Sequence, residues 1–207
     1  MSNTIDIELI NVSKKFNRKV IFQNINHHFR HHTITAITGH NGSGKSTLLQ
    51  IIAGSTSPSQ GTINYQLQHH STALPHAHLS MAAPYIELIE EFTIHEMVQC
   101  YFSFKPLHPS YHIQQLPDLF QLPHTHQPIK NFSSGMKQRL KLGLACTTHT
   151  PLLLLDEPCA NLDSNGIQWY QMLLNTQPHK TIIIASNSKP EETFAATHTL
   201  SITDFKQ

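Results

Sequence analysis

The feature that most restricts this 207-residue chain is the run Gly39-His-Asn-Gly-Ser-Gly-Lys-Ser-Thr47. The apolar segment Ile34-Thr-Ala-Ile-Thr38 before it reads as a strand. Leu48 to Ala53 after it reads as a helix, closed by Gly54. A glycine-rich loop between strand and helix, ending in Gly-Lys-Ser, is the pattern of a phosphate-binding loop. Glycines at 39, 42 and 44 let the backbone curl so that successive N–H groups point inward at phosphate oxygens. The positive end of the following helix adds to that attraction. Lys45 can then reach the β- and γ-phosphates and the Ser46 hydroxyl can bind Mg²⁺. His40, Asn41, Ser43 and Thr47 complete the loop.

A second motif supplies acids. Leu152-Leu-Leu-Leu-Asp-Glu-Pro158 reads as a central parallel strand, covered on both faces, that terminates in two carboxylates. Taken alone, such a pair also suits the start of a solvated loop. Beside the phosphate loop, Asp156 is expected to hold magnesium through its water shell. Glu157 is expected to orient or deprotonate an attacking water.

The rest of the chain supports an α/β fold. Ile5, Ile7 and Leu9 alternate with Asp6 and Glu8 as in a half-buried strand, and Thr62 to Leu67 reads as another. Thr93-Ile-His-Glu96 is a capping-box pattern that opens a helix running toward Phe104. Prolines 106, 109, 117, 123 and 128 then divide the chain into short pieces, before a helix over Ser133 to Thr148. Strand, loop and helix alternate again from Leu152, with a helix near 166–175 and a strand over 181–185. We therefore expect one domain, 1–207, with a helical insert at about 86–148 in a strand–helix core.

Composition excludes several classes of function. Lys plus Arg number 14 and Asp plus Glu 13, so no bulk field draws the chain to nucleic acid or an anionic membrane. No apolar run approaches the roughly 20 residues of a membrane span, and the N-terminus has no secretory pattern. Cys100, Cys146 and Cys159 are an odd number without C-x-x-C spacing, as in reduced thiols of a cytosolic protein. Histidine is abundant, at 17 residues, and partly paired: His27-His28, His31-His32, His69-His70, His76 with His78, and His124 with His126. With no Cys or acid completing a ligand set, these read as surface histidines rather than metal sites.

Between the two motifs lies Phe132-Ser-Ser-Gly-Met-Lys-Gln-Arg139, where Ser133 is an N-cap candidate. The order of phosphate loop, S-S-G-M-K-Q-R, L-L-L-L-D-E-P and Ala160-Asn-Leu-Asp163 resembles the nucleotide-binding domain of ATP-binding-cassette (ABC) transporters. This likeness runs through nearly the whole chain, and the signature variant resembles that of haem-exporter-type and other export-type ATPase subunits. The resemblance implies a P-loop NTPase core of ABC type, with an N-terminal antiparallel β subdomain and a helical subdomain. It implies that Phe16 stacks on adenine, core packing being the alternative for that ring. It also implies that Ser133, Ser134 and Gly135 touch the γ-phosphate of ATP held by a partner, and that Asp163 belongs to the loop passing between two sites. ATP and Mg²⁺ are the implied cofactors. A second ABC ATPase domain, as a homodimer, and a separate transmembrane permease subunit are the implied partners. The chain would then be cytoplasmic, peripheral on the inner face of the cell membrane.

Two positions depart from the family pattern. Asn187 stands where a histidine usually contacts the γ-phosphate, and an amide can donate a hydrogen bond but cannot become cationic. Where the family places a glutamine, Ser80-Met-Ala-Ala-Pro-Tyr85 offers Ala83 or Pro84. Glu157, Lys45 and Asn187 as catalytic residues imply a weakened ATPase rather than a dead one. Tyr85, Ile86, Leu88, Ile89 and Phe92, between Glu87, Glu90 and Glu91, are either a docking surface for the permease or core of the insert. The rival reading is a soluble ABC-type switch that acts on a ribosome or protein partner. A small P-loop kinase is disfavoured, because the signature would then have no role.

Overall fold

The computed structural model describes residues 4–67, 70–72, 76–123 and 126–206. Its organising element is a five-stranded parallel sheet in the order β6 (Leu79–Ala82), β7 (Leu152–Asp156), β8 (Thr181–Ser186), β3 (Ile34–Thr38) and β9 (His198–Ser201). Leu152 and Leu154 of β7 join one hydrophobic core while Leu153 and Leu155 join the other. Ile183 and Ala185 of β8 divide from Ile182 and Ile184 in the same way. Consecutive side chains of a strand point to opposite faces, so an unbroken apolar run is what a sheet buried on both sides requires.

One core lies under an antiparallel sheet ordered β2 (Lys19–Phe29), β1 (Ile5–Phe16), β4 (Gln60–Leu67) and β5 (His70–Thr72). Helix α1 (Lys45–Ile52) belongs to the same core. β1 runs seven residues past the end of its alternating pattern. At Asn11 the backbone turns left-handed (φ +51°) and the register slips, so inward positions pass from Ile5, Ile7 and Leu9 to Val12. The Asn26 side chain holds the bulge, its Oδ1 accepting from the Asn11 backbone N–H at 2.9 Å and its Nδ2 donating to Asn11 Oδ1 at 3.0 Å. Gly61 crosses it, where a Cβ would meet the Ile10 and Asn11 carbonyls.

The other core joins the opposite face of the parallel sheet to the helices. These are α2 (Ile94–Phe104), α3 (Leu116–Leu119), α4 (Ser134–Thr147) and α5 (Ser164–Asn175), with a short α6 (Pro190–Thr193) near β9. The capping box at Thr93 forms: its hydroxyl accepts from the Glu96 N–H at 3.3 Å, and Glu96 Oε2 accepts from the Thr93 N–H at 2.8 Å. Gly54 ends α1 with φ +74° and the two backbone bonds of a Schellman motif, Gly54 N–H to Ile51 and Ser55 N–H to Gln50, both 3.0 Å. α1 begins three residues earlier than its apolar pattern suggests, because Lys45, Ser46 and Thr47 are already helical.

Packing is tightest where α4 crosses Phe120. A Cβ on Gly143 would fall on the Phe120 ring, which is fully buried. Helix propensity alone favours alanine over glycine by about 1 kcal/mol. Here overpacking reverses the sign, and Gly143→Ala should destabilise by about 1–3 kcal/mol in urea unfolding. Phe120→Leu in the same chain should recover part of that loss.

The histidines predict an acid-labile fold. Burial lowers the pKa of His27, with His198 and His28 adding to the effect. Burial likewise lowers His32 beside His31 and His179, and His108 beside His149, Lys180 and His179. A depressed folded-state pKa means that the unfolded chain binds protons first, so stability is lost as pH falls below about 6.5. The urea midpoint should drop from neutral pH into that range, and His27→Gln with His108→Gln should flatten the slope.

Candidate phosphate-binding and catalytic site

The loop Gly39 to Gly44 leaves the C-terminal end of β3 and enters α1. Gly44 lies at φ +107°, and a Cβ there would come within 2.5 Å of Ile21 Cγ2, so both conformation and space demand glycine. Gly44 also brings no side-chain cap to α1, whose first-turn N–H groups therefore remain available to an anion. The loop borders a cavity of about 170 Å³ lined by Ile21, Asn41, Gly42, Gly44, Lys45, Ser46, Thr47 and Glu157. His40 bends away from this lining, its Nδ1 paired at 2.8 Å with the Asn41 carbonyl.

Lys45 is 4% exposed and folded back on its own loop. Its ammonium donates to the Gly39 carbonyl at 2.9 Å, the His40 carbonyl at 3.1 Å and Asn187 Oδ1 at 2.5 Å. Burial lowers its pKa, while the carboxylates of Glu157, Asp156 and Glu192 oppose that shift. The Asn187 amide in turn donates to Glu157 Oε1 at 2.9 Å. Lys45, Asn187 and Glu157 therefore form one hydrogen-bonded chain, with Lys45 and Glu157 in the cavity wall. Glu157 itself sits at φ +47°, a strained backbone for a residue with a Cβ, held by its N–H on the Ala185 carbonyl at 2.9 Å.

Asp156 ends β7 almost fully buried. Burial pushes its carboxyl up, the Ser46 hydroxyl opposes this, and Glu157 adds to the rise. Neither Asp156 oxygen has a partner in hydrogen-bonding geometry, nor does the buried Ser43 hydroxyl. Orphaned carboxylate oxygens beside Ser46, which itself lines the cavity, fit a hard divalent cation that takes few protein ligands and completes its shell with phosphates and water.

The signature segment occupies a different cleft. Gln121, Ser133, Ser134, Gly135, Arg139 and Asp163 are among the residues lining about 530 Å³, and none of its lining residues borders the phosphate-loop cavity. Ser133 is the N-cap of α4, accepting from the Met136 N–H at 3.2 Å. Asp163 caps α5, accepting from the Gly166 N–H at 2.7 Å, and lies 3.4 Å from Arg139. Phe16 stands at the end of β1, half-exposed, with the Lys14 ammonium 4.7 Å over its ring, so it is not a core residue.

The segment after β6 divides. Leu88 and Phe92 pack against the helical core, whereas Tyr85 and Ile89 are 43% and 42% exposed. Ala83 and Pro84 bring no polar side chain, although Lys141 donates to the Pro84 carbonyl at 3.2 Å. Among the paired histidines, His27 meets Phe29 edge-on with ring centroids 4.5 Å apart, while His28 and His31 flank Asp6 at 3.4 and 2.8 Å. His69 and His124 lie outside the described residues. Among the described residues no three His, Cys, Asp or Glu are placed to hold a metal. Sequence reasoning missed Ile202, which is fully buried beneath the loop, where a Gly39 Cβ would come within 2.8 Å of its Cγ2. It also missed Ile21. Only tertiary folding brings either residue to the site.

Removing the Asp156 charge should expose the stability that the site gives up. Asp156→Asn is expected to raise the thermal stability of the nucleotide-free protein, by about 1 kcal/mol, because an unpartnered buried charge is lost. The same variant should lose magnesium-dependent nucleotide binding, measured by calorimetry with and without the cation.

The family model described as ABC transporter matches residues 22–160. The uncharacterized ABC transporter ATP-binding protein YybJ of Bacillus subtilis is 28% identical over 190 residues, covering 89% of this chain and 87% of that one. The zinc import ATP-binding protein ZnuC of Haemophilus ducreyi is 32% identical over 179 residues, 85% of this chain and 64% of the relative. The Nod factor export ATP-binding protein I of Sinorhizobium fredii is 27% identical over 195 residues, covering 90% and 57%. A putative ABC transporter ATP-binding protein from Pyrococcus furiosus superposes with TM-score 0.82 at 15% identity, over 98% of this chain and all of that one. The dimeric MJ0796 bacterial cassette superposes with TM-score 0.78 at 22% identity, over 95% and 94%.

Proposed function

This chain belongs to the ABC transporter family, and from that footing we propose that it is the ATP-hydrolysing subunit of an export-type transporter, driving a separate membrane-spanning subunit. ATP binding and hydrolysis are general to the family. The lean to export rests on the S-S-G-M-K-Q-R signature, since similar proteins include both import and export subunits. The observation that carries the reading is the separation of the phosphate-loop cavity from the signature cleft. A chain with both halves of a site in separate places completes that site by pairing head to tail with a second cassette. The dimeric cassette among the similar structures supports that pairing.

Each side chain has a task in such a composite site. The α1 N–H groups and Lys45 hold the β- and γ-phosphates, and Phe16 offers the adenine an aromatic face. Ser46 and Asp156 would hold magnesium, which when bound neutralises charge on the transferred phosphoryl. Glu157 keeps one oxygen on the Asn187 amide and leaves Oε2 to take a proton from an attacking water. Ser133, Ser134 and Gly135 present hydroxyl and N–H donors to the partner's nucleotide, and Asp163 lines the passage between the two sites. Asn187 can hydrogen-bond the γ-phosphate but cannot add a positive charge, and Ala83 and Pro84 provide no side-chain oxygen toward magnesium. Both features favour slow turnover.

The membrane subunit would dock at a groove of about 650 Å³ lined by residues 87–91, Lys137 and Lys141, where Lys137 pairs with Glu90 at 2.6 Å and Ile89 forms part of the wall. Among the described residues no helix is long and apolar enough to cross a membrane, so attachment to the inner face of the cell membrane would come through that partner.

Magnesium-dependent ATPase of the purified protein, beside Glu157→Gln, tests the reading, with oligomeric state followed by light scattering. Glu157→Gln should lose at least about 10²-fold in turnover and accumulate as an ATP-bound dimer. Asn187→His should turn over several times faster than wild type. Absence of ATP binding, or full activity in Glu157→Gln, would overturn the assignment.

A further inference from the structure

Behind the site lies an acid that the chemistry above does not use. Glu192, in the four-residue α6, has a side chain with no exposure to solvent. A buried carboxylate is expensive unless it is bonded on several sides. Glu192 Oε2 accepts from the Ser186 hydroxyl at 2.5 Å. Its Oε1 accepts from the Cys159 N–H at 3.3 Å and lies 3.6 Å from the Lys189 ammonium. Its backbone carbonyl takes a bond from the Tyr170 hydroxyl at 3.1 Å.

Two of the side-chain partners, Ser186 and Cys159, stand at the roots of two different loops. Ser186 is the last residue of β8 and directly precedes Asn187. Cys159 lies two residues after Glu157, in the turn that follows β7. One carboxylate therefore spans the roots of the loops that carry the Asn187 amide and the Glu157 carboxylate. Both loops are strained, with Glu157 at φ +47° and Ser188 at φ +63°. Such conformations persist only where surrounding bonds over-determine them. The Ser186 hydroxyl also accepts from the Lys189 N–H at 3.2 Å, closing the turn that contains Ser188. Glu192 is thus placed to fix both strained turns at once.

We infer that Glu192 is a positioning residue: a buried clamp that sets the Asn187 amide against the Glu157 carboxylate from behind the site. This rests on the reading of Glu157 and Asn187 given above. The clamp acts on neither substrate nor reacting atoms. Its effect is on the register of two loops, where a displacement of about 1 Å can cost about 10²-fold in rate.

The test uses the full chain and two readouts. The first needs no nucleotide: the side-chain amide ¹⁵N–¹H signals of Asn187, assigned by their loss in Asn187→Ala. In Glu192→Ala these signals should move to the position of a free amide, while the backbone spectrum away from the site stays native. Glu192→Gln keeps one oxygen for Ser186 but not the second for Cys159, and should move them part of the way. That variant carries the test if alanine prevents folding. The second readout is steady-state ATPase, where Glu192→Ala should lower kcat about 10-fold with KM within about 2-fold. In an Asn187→Ala background the same substitution should cost almost nothing further, since both act through one contact. Unmoved Asn187 signals in folded Glu192→Ala, or fully additive rate losses, would overturn the clamp. If wild type lacked ATPase, the functional reading would fail, and the amide signals would still decide the role of Glu192.

Discussion

Five strands running the same way impose the rest of this molecule. Because the sheet is parallel throughout, the C-terminal ends of all its strands open on one edge. The loops after β3, β6, β7, β8 and β9 must therefore gather there, which is the general position of ligand sites in open α/β sheets. They carry, in that order, the glycine loop, Ala83 with Pro84, Glu157, Asn187 and Ile202. Residues from opposite ends of the sequence meet because the strands below them are buried on both faces and cannot slip. A one-residue shift of β7 would exchange Leu152 and Leu154 with Leu153 and Leu155 between two separate cores, and would carry Asp156 and Glu157 with them.

What could be read from the sequence follows from how local each signal is. The phosphate loop, the capping box at Thr93, the N-cap at Ser133 and the four-leucine strand are fixed by neighbours within a few residues, and all of them form. β1 is different. Its alternation ends at Leu9 although the strand runs to Phe16, because the Asn11 bulge shifts the inward phase by one residue. That bulge is held by Asn26 and fitted by Gly61, partners a periodicity argument does not see. Glu192 was equally hidden. In Pro-Glu-Glu-Thr it looks like an exposed first-turn acid, and only the packing of α6 against β8 and the turn after β7 buries it. The apolar run at 85–92 offered two readings, core or docking surface. Core packing holds for Leu88 and Phe92, which point inward, whereas Tyr85 and Ile89 point outward.

Departures from easy stability concentrate at this same edge. Glu157 and Ser188 have left-handed backbones, Asp156 and Ser43 have unpartnered polar atoms, and Lys45 is a buried cation resting on carbonyls. Elsewhere α2, α4 and α5 are capped by side chains, α1 ends in a Schellman turn and the strands are filled with leucine and isoleucine, with further left-handed residues at bulges and turns such as Asn11, His32 and Gln121. Lys180 makes the contrast. Burial lowers its pKa to about 8, yet its ammonium bonds the Cys146 and Thr148 carbonyls at 2.7 Å each, closing the C-terminal end of α4. One buried lysine is fully engaged in the fold. The other is held by bonds that a phosphate can replace.

That difference gives Asn187 a physical reason in a chain so rich in histidine. Between Lys45 and Glu157 the bridging residue must accept from a cation and donate to an anion at once. A neutral imidazole does this in only one of its two tautomers, and a protonated one has no acceptor left for the ammonium. An amide carries its donor and its acceptor permanently and does not titrate. The amide's two bonds therefore do not depend on a proton that is exchanged in the pH range in which histidines change charge. What the amide gives up is the positive charge that a histidine could bring to a γ-phosphate.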